Sequence, residues 1–405
     1  MMNSLPSTLP LSRLVAEMQE SATLKMAKMA RELKAQGKDI IDLSLGEPDF
    51  DTPVHIKEAA KKALDDGFTK YTPVNGLVEL REAIVRKLAR ENNLHYTINQ
   101  IVVSNGAKQS VYNLCLALLD PGDEVILPAP YWVSYYEIVK MAGGIPVIAN
   151  SSIEQDFKSS PEEIEALITD RTKFILYSSP CNPSGSVFTF DELQAMAAML
   201  QQYPHVIVVS DEIYEHINFA QTHHSIASME GMQDRTVIIN GMSKGFAMTG
   251  WRLGYIAGPS WIAEACTKIQ GQVTSGASSF GQKAAAVALD SDHTPTYEMV
   301  KAFHTRRDLI ISLLEQIPLL QVNRPQGAFY IFPDVSAYFG RTSANGYHVG
   351  DADDMALYLL AQARVSTVSG VAFGNDKCIR LSYATSDAKL KDAAERIAQA
   401  LSILN

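Results

Sequence analysis

Lys244 stands in the stretch Gly241-Met242-Ser243-Lys244-Gly245-Phe246-Ala247-Met248-Thr249-Gly250-Trp251-Arg252-Leu253-Gly254, directly after a serine hydroxyl and eight positions before an arginine. A lysine amine forms a Schiff base with a carbonyl compound, and the planar fork of an arginine grips a phosphate. If Lys244, Ser243 and Arg252 serve one ligand, that ligand carries an aldehyde and a phosphate, which describes pyridoxal 5'-phosphate (PLP).

PLP makes further demands that can be sought independently. Its pyridine nitrogen needs a carboxylate that keeps it protonated, so that the ring accepts electrons. Its phosphate needs backbone N–H groups at a helix N-terminus. Asp211 ends an apolar run, His205-Val206-Ile207-Val208-Val209-Ser210, where a carboxylate is partly buried and in want of a cation. A pyridinium is one such partner; a helix cap is the other reading of this aspartate. Tyr214, three residues on, and Asn182 in Cys181-Asn182-Pro183-Ser184-Gly185 are candidate donors to the phenolate oxygen. Gly106, Ala107 and Lys108 open a helical pattern after an apolar run, which presents unpaired N–H groups to a phosphate.

The elements that must position these residues are legible as an alternation. Between about residues 98 and 260, β-rich runs at 101–104, 124–128, 173–177, 205–210 and 237–240 alternate with helical patterns, and each leads into a polar or glycine-containing loop. This predicts an α/β fold with a mostly parallel sheet covered by helices on both faces, and ligands binding at the carboxyl ends of the strands. After about residue 290 the spacing of Met299, Val300, Phe303, Leu309, Ile310, Leu313, Leu314 and Ile317 predicts a long helix. Strands near 328–332 and 378–383 follow, with helices near 353–364 and from 386. The expected division is a large PLP-binding domain over 48–295 and a smaller α+β domain from both chain ends, 1–47 and 296–405, with a helix at 21–36 packing on it.

At 405 residues with 46% hydrophobic side chains, the chain can fill a large core. Its net charge of −10, with 35 basic and 45 acidic residues and no long run of either sign, argues against nucleic acid or an anionic membrane as partner. The four cysteines are scattered and no histidine stands at metal-ligand spacing, so neither a disulfide framework nor a metal site is expected. No stretch approaches the roughly 18 apolar residues of a membrane span. A cytoplasmic setting is the expectation. His223-His224 reads as a surface turn, and 351–354 as a helix start.

The chain also resembles the class I/II (fold type I) aminotransferases, and within them the prokaryotic-type aspartate aminotransferase subgroup, which includes prephenate aminotransferases. The likeness is carried by Gly46-Glu47-Pro48-Asp49-Phe50-Asp51-Thr52-Pro53, Lys70-Tyr71-Thr72-Pro73, Pro130-Tyr131-Trp132-Val133-Ser134-Tyr135, Asn182-Pro183-Ser184-Gly185, Ser210-Asp211-Glu212-Ile213-Tyr214-Glu215-His216, the lysine segment and Arg380-Leu381-Ser382-Tyr383-Ala384-Thr385. The resemblance implies that Trp132 stacks on the pyridine ring and that Arg380, otherwise readable as a structural ion pair, holds the substrate α-carboxylate. It places the Gly46 backbone at the substrate and has Tyr71 reach the phosphate in a neighbouring subunit, making a homodimer with shared sites.

The implied reaction is ping-pong transamination between an L-amino acid, most of all aspartate, and 2-oxoglutarate, with Lys244 moving the proton. Thr23 and Lys108 are the positions similar to those of the subgroup that bind a second carboxylate. Where that subgroup often reads Lys-Pro-Ser-Ala-Thr, this chain has Gln19-Glu20-Ser21-Ala22-Thr23, which exchanges a cation for an acid and weakens the expectation for dicarboxylates. An aminotransferase for another substrate pair (aromatic, aliphatic or prephenate/arogenate), a PLP β-lyase, and a non-catalytic PLP sensor domain are the alternatives.

Overall fold

The computed structural model describes residues 11–220 and 222–405. Residues 1–10 of the expected small-domain segment lie outside the described residues. Seven strands form one sheet: β1 (Ile101–Ser104), β2 (Glu124–Pro128), β3 (Ile145–Ala149), β4 (Thr172–Ser178), β5 (Ile207–Asp211), β6 (Thr236–Gly241) and β7 (Gly254–Ala257), in the order β1-β7-β6-β5-β4-β2-β3. All pairings are parallel except those of β7, which runs antiparallel to β1 and β6.

The mostly parallel α/β sheet is therefore present, with two strands that the alternation did not reveal. β3 is an edge strand that contains Pro146 and stays half-exposed along most of its length, as an edge permits. β7 has only four residues, begins on a glycine and follows the lysine segment without an intervening helix.

Helices cover both faces, and the period of two along each strand shows it. Val125, Leu127, Phe174, Leu176, Val237 and Ile239 share a core with residues of helices Ala107–Leu118 and Ser260–Val273. Their neighbours Ile126, Ile175 and Tyr177 pack with Leu193, Met196 and Leu200 of helix Phe190–Leu200. Ile238 joins helices Val54–Asp65, Val78–Asn92 and Ser279–Asp290. The faces alternate as the pleat requires.

The remaining elements hold a second core. Helix Thr294–Leu314 buries Met299, Phe303, Ile310 and Leu314 against helix Asp387–Ser402, which starts where the Ser386 side chain accepts from the Lys389 N–H. Tyr330–Ile331, Ile379–Ser382 and Val368–Ser369 form a small antiparallel sheet. The strand expected near 328–332 shrinks to two residues because Ala328 adopts φ 56°, which interrupts extended geometry. The helix expected near 353–364 begins at Ala352, where Asp351 accepts from the Asp354 N–H at 2.8 Å, and ends in a π turn over Leu359–Ala363. Helix Ala22–Ala35 packs Met26 and Ala30 on Ala356 and Leu360, and Ile41–Asp42 pairs in parallel with Val365–Ser366.

One expectation is corrected. The His223 side chain does not sit in an open surface turn; it is 9% exposed, with Nε2 3.2 Å from Glu212 Oε2. The buried Glu212 carboxylate draws the imidazole inward. All four cysteines are free and buried, and among the described residues no helix is long and apolar enough to cross a membrane.

Candidate active site

Adjacent parallel strands bring their carboxyl ends to one line. Ser178 of β4 stands opposite Asp211 of β5, and β6 ends at Gly241 just before Lys244. Above this line is a cavity of about 320 Å³ whose wall includes Ala107, Lys108, Trp132, Asn182, Asp211, Tyr214, Ser243, Lys244 and Arg252 from the large sheet and its helices. Thr23, Gly46 and Arg380 enter it from the other core. The structure thus brings together nearly every residue singled out from the sequence. Gly106 sits just behind the wall, and Tyr71 is apart from it, 98% exposed.

At one end, Gly106 is the N-cap of helix Ala107–Leu118 with φ 84°. This left-handed value favours glycine, and a Cβ there would collide with the Arg252 guanidinium. The helix N–H groups and that guanidinium consequently face the same space, with Ser243 beside them. Arg252 itself adopts φ 58° and donates to Thr249 O at 2.8 Å.

Across the cavity, Asp211 is buried, with its two oxygens already engaged. Tyr135 Oη donates to Oδ2 at 2.6 Å and the Ile213 N–H donates to Oδ1 at 3.2 Å. Burial pushes the carboxyl up to about 6, and these two donors hold it from going further. Lys244 Nζ donates to Gly46 O and lies 5.5 Å from the centre of the Tyr214 ring. Burial and then the Arg380 charge pull its amine down to about 8, so an appreciable neutral fraction exists near neutral pH.

Arg380 is 1% exposed, and burial lowers its pKa. Nη1 donates to Asn182 Oδ1 at 2.9 Å and Nη2 to Ser44 O at 2.6 Å, while Nε has no partner. The alternative of a structural ion pair is not what the fold builds: no acidic side chain of the described residues perturbs this guanidinium. A buried cation in such a setting is costly unless an anion joins it. Tyr330 lies beneath it, with the guanidinium 4.5 Å from its ring centre, and the Tyr330 and Tyr214 hydroxyls share a 2.7 Å hydrogen bond.

Several wall residues carry no role in the sequence reading. Tyr135 lay in a quoted motif, but only the fold turns its hydroxyl onto Asp211. Ser178 ends a strand as Asp211 does, so the strand-end pattern already marked its location. Glu47 likewise lay in a quoted motif and Tyr330 in an expected strand, but neither was given a role; Glu47 accepts from Thr249 Oγ1 at 3.1 Å. Lys108 stands 4.9 Å over the Trp132 ring, where burial and then Arg252 lower its pKa.

This donor set fits PLP. A helix N-terminus and an arginine match a dianionic phosphate, a buried carboxylate matches a pyridinium, and a half-buried lysine of lowered pKa matches an aldehyde. The Arg380 guanidinium, in the same wall and with one nitrogen left unpaired, matches a substrate carboxylate.

Comparison with known proteins agrees. A family model described as "Aminotransferase class I and II" matches residues 38–397. The chain is 46% identical over 389 residues to an aspartate/prephenate aminotransferase of Cereibacter sphaeroides, covering 96% of this chain and 97% of that protein. It is also 46% identical to a bifunctional aspartate aminotransferase and glutamate/aspartate-prephenate aminotransferase of Petunia hybrida, covering 99% and 84%. The aspartate aminotransferase of Rhizobium meliloti superposes with a TM-score of 0.95 at 41% identity, covering 98% of this chain and all of that one. That of Thermus thermophilus, solved with maleate, gives 0.91 at 40% identity, covering 97% and 100%. With a family match over most of its length and a PLP-compatible cavity at the strand ends, the chain belongs to the class I and II aminotransferases, a PLP-dependent family.

Proposed function

We propose that the chain catalyses ping-pong transamination between aspartate and 2-oxoglutarate, giving oxaloacetate and glutamate. The observation that carries this reading is Arg380, a buried guanidinium without an acidic partner in the same cavity as Lys244. Such a group is made for the α-carboxylate of an amino or oxo acid, which it can take bidentately. Lys108, in the same wall, supplies a second cation for a distal carboxylate, and Thr23 lines the same cavity.

When bound, PLP supplies a carbonyl carbon for amine exchange and a protonated ring that withdraws electrons from the substrate Cα. Lys244 Nζ, its pKa depressed by burial, would take the Cα proton as a neutral amine and deliver it, as the conjugate acid, to the carbon that was the cofactor's aldehyde, the shift that transamination requires. Asp211 keeps the ring nitrogen protonated, and Tyr135 keeps Asp211 in place. Asn182 and Tyr214 would donate to the phenolate oxygen, while Gly106, Ala107, Ser243 and Arg252 would hold the phosphate. Trp132 would stack on the ring, and the Gly46 backbone would lie at the substrate. Arg380 fixes the Cα–H bond relative to the ring plane, which is where orientation lowers the barrier.

The domain reading goes with this function: residues 48–295 carry the cofactor, while 1–47 and 296–405 bring Thr23, Gly46 and Arg380 to it. The 98% exposure of Tyr71 supports the reading that it serves the phosphate of a second copy in a homodimer with shared sites; a cytoplasmic setting is part of the same reading. Prephenate is a second candidate acceptor, since the Cereibacter and Petunia relatives are named for it.

A panel of amino donors with 2-oxoglutarate and with prephenate, with pyruvate and ammonia also followed, tests the reading. Aspartate should give the highest kcat/KM among donors. A better aromatic or aliphatic donor, or net pyruvate and ammonia release, overturns the aspartate assignment.

A further inference from the structure

Behind the cavity lies a set of titratable groups, buried at Lys87 and Glu215 and half-buried at His216 and Glu91, that the reaction does not use. Gly245 follows Lys244, and its backbone rests on the His216 ring: a Cβ added to Gly245 would stand 2.7 Å from Nδ1 and 3.0 Å from Cβ of His216. His216 is itself held. Its Nε2 lies 3.0 Å from Glu91 Oε2, and Glu91 also meets Arg90 Nη2 at 2.5 Å and Lys87 Nζ at 3.6 Å. Lys87 is fully buried and paired with Glu215, whose Oε1 lies 3.9 Å from His216 Nδ1.

The box around the ring is completed edge-on by Phe246 and His293, with centroids at 5.3 and 5.7 Å. On the same glycine, Thr296 Oγ1 donates to Gly245 O at 2.7 Å. Although burial raises the Glu91 carboxyl, His216 and Lys87 outweigh it and bring it down to about 2, so Glu91 is a fixed anion.

The location of this network is informative. Lys244 sits on an irregular loop in which Ala247 takes φ 51°, so no regular helix or strand sets the reach of its side chain. What lies behind the loop must do so. Moreover, His216 belongs to the same short segment as Asp211 and Tyr214, so one stretch of chain both faces the cavity and backs the lysine.

We propose that His216 is a positioning residue for Lys244: held by Glu91, it fixes the Gly245 backbone and through it the placement of Nζ in the cavity. The proposal rests on the reading of Lys244 as the cofactor lysine. Displacements of about 1 Å from remote changes can cost about a hundredfold in rate, so a group one residue from the amine is well placed to matter.

The test uses cofactor-loaded His216→Phe, which keeps a ring against Gly245 but loses the Glu91 bond, and Glu91→Gln, which removes the charge with little change of shape. Both should lower kcat about tenfold while the donor KM changes less than about twofold. Both should also shift the pH midpoint of the visible absorption band by about 0.5 unit or more. His216→Gln, which can still donate toward Glu91, should restore most of both readouts.

Thermal unfolding of the apo variants provides the structural control. Lower apo stability with an unchanged absorption midpoint and unchanged kcat per loaded subunit overturns the positioning role. If the visible band survives in Lys244→Ala, the cofactor reading fails and the positioning role falls with it. Loss of that band, alongside unaltered His216 and Glu91 variants, overturns the positioning role alone.

Discussion

Tyr135 Oη donates a 2.6 Å hydrogen bond to Asp211 Oδ2 in the interior of the protein, although 76 residues separate the two. The bond makes a buried anion tolerable in a cavity wall and orients its carboxylate before any cofactor arrives. In Tyr135→Phe the carboxylate keeps only the Ile213 N–H, so the Asp211 pKa should climb further. The apo protein should lose about 1–3 kcal/mol at pH 8, measured by urea unfolding. Wild-type stability there would show that the bond contributes nothing net.

Replacing the carboxylate itself should act in the opposite direction on the apo protein. The folded pKa of Asp211, about 6, stands above its ordinary 3.8. The stability gained from burying its neutral form is therefore complete below about pH 3.8 and is lost as pH rises through about 6. A shift of this size corresponds to roughly 3 kcal/mol above pH 6, and losing an acceptor for one of its two donors returns about 1 kcal/mol. Apo Asp211→Asn should accordingly be about 2 kcal/mol more stable than wild type at pH 8, yet lose most of its turnover. A less stable apo variant at pH 8 contradicts the sign.

Lys244 offers a pH dependence of its own. Its folded pKa is depressed to about 8, so the neutral amine, the form that attacks an aldehyde, accumulates as pH rises through that value. The rate at which the apo protein takes up PLP should increase with pH and level off above about 8, within about one unit. Arg380 is the leading charge that lowers this pKa, so Arg380→Gln should move the midpoint upward. Stopped-flow absorbance measures both; a downward shift in the variant removes Arg380 as the cause.

At the phosphate end, Gly106→Ala combines a left-handed φ of 84° with a collision against Arg252. It should cost about 1–3 kcal/mol in strain and weaken PLP binding at least about tenfold by displacing the guanidinium. Equilibrium dialysis of the apo variant gives the affinity directly. Unchanged affinity there would place the phosphate elsewhere.

Lys108→Ala separates substrates rather than chemistry. If Lys108 meets a distal carboxylate, the KM for aspartate should rise about tenfold, while that for alanine should change less than about twofold. Equal effects on both donors would instead mark Lys108 as a cofactor contact, a role that its place at the start of helix Ala107–Leu118 equally permits.

The chemistry of the site was legible because it is local in the chain. A hydroxyl, an amine and a guanidinium lie within one segment, and Asp211 and Tyr214 within one turn; apolar runs that end in polar loops marked where a sheet delivers its ligands. Alternation likewise revealed five of the seven sheet strands. β3 and β7 escaped because an edge strand with a proline and a four-residue strand opening on glycine carry little periodic signal.

The sequence by itself thus determined the family and its cofactor, and named the candidate groups that line the cavity. Only the tertiary structure decided their pairings: Arg380 donates to Asn182 and Lys244 to Gly46 O, in each case across 198 residues. It also turned Tyr135 onto Asp211, left Arg380 without an acid and set His216 behind Lys244. The physical reason is that periodicity and residue chemistry act over a few positions. Burial, close approach and the resulting pKa shifts exist only once two cores fold against each other around the cavity at the strand ends.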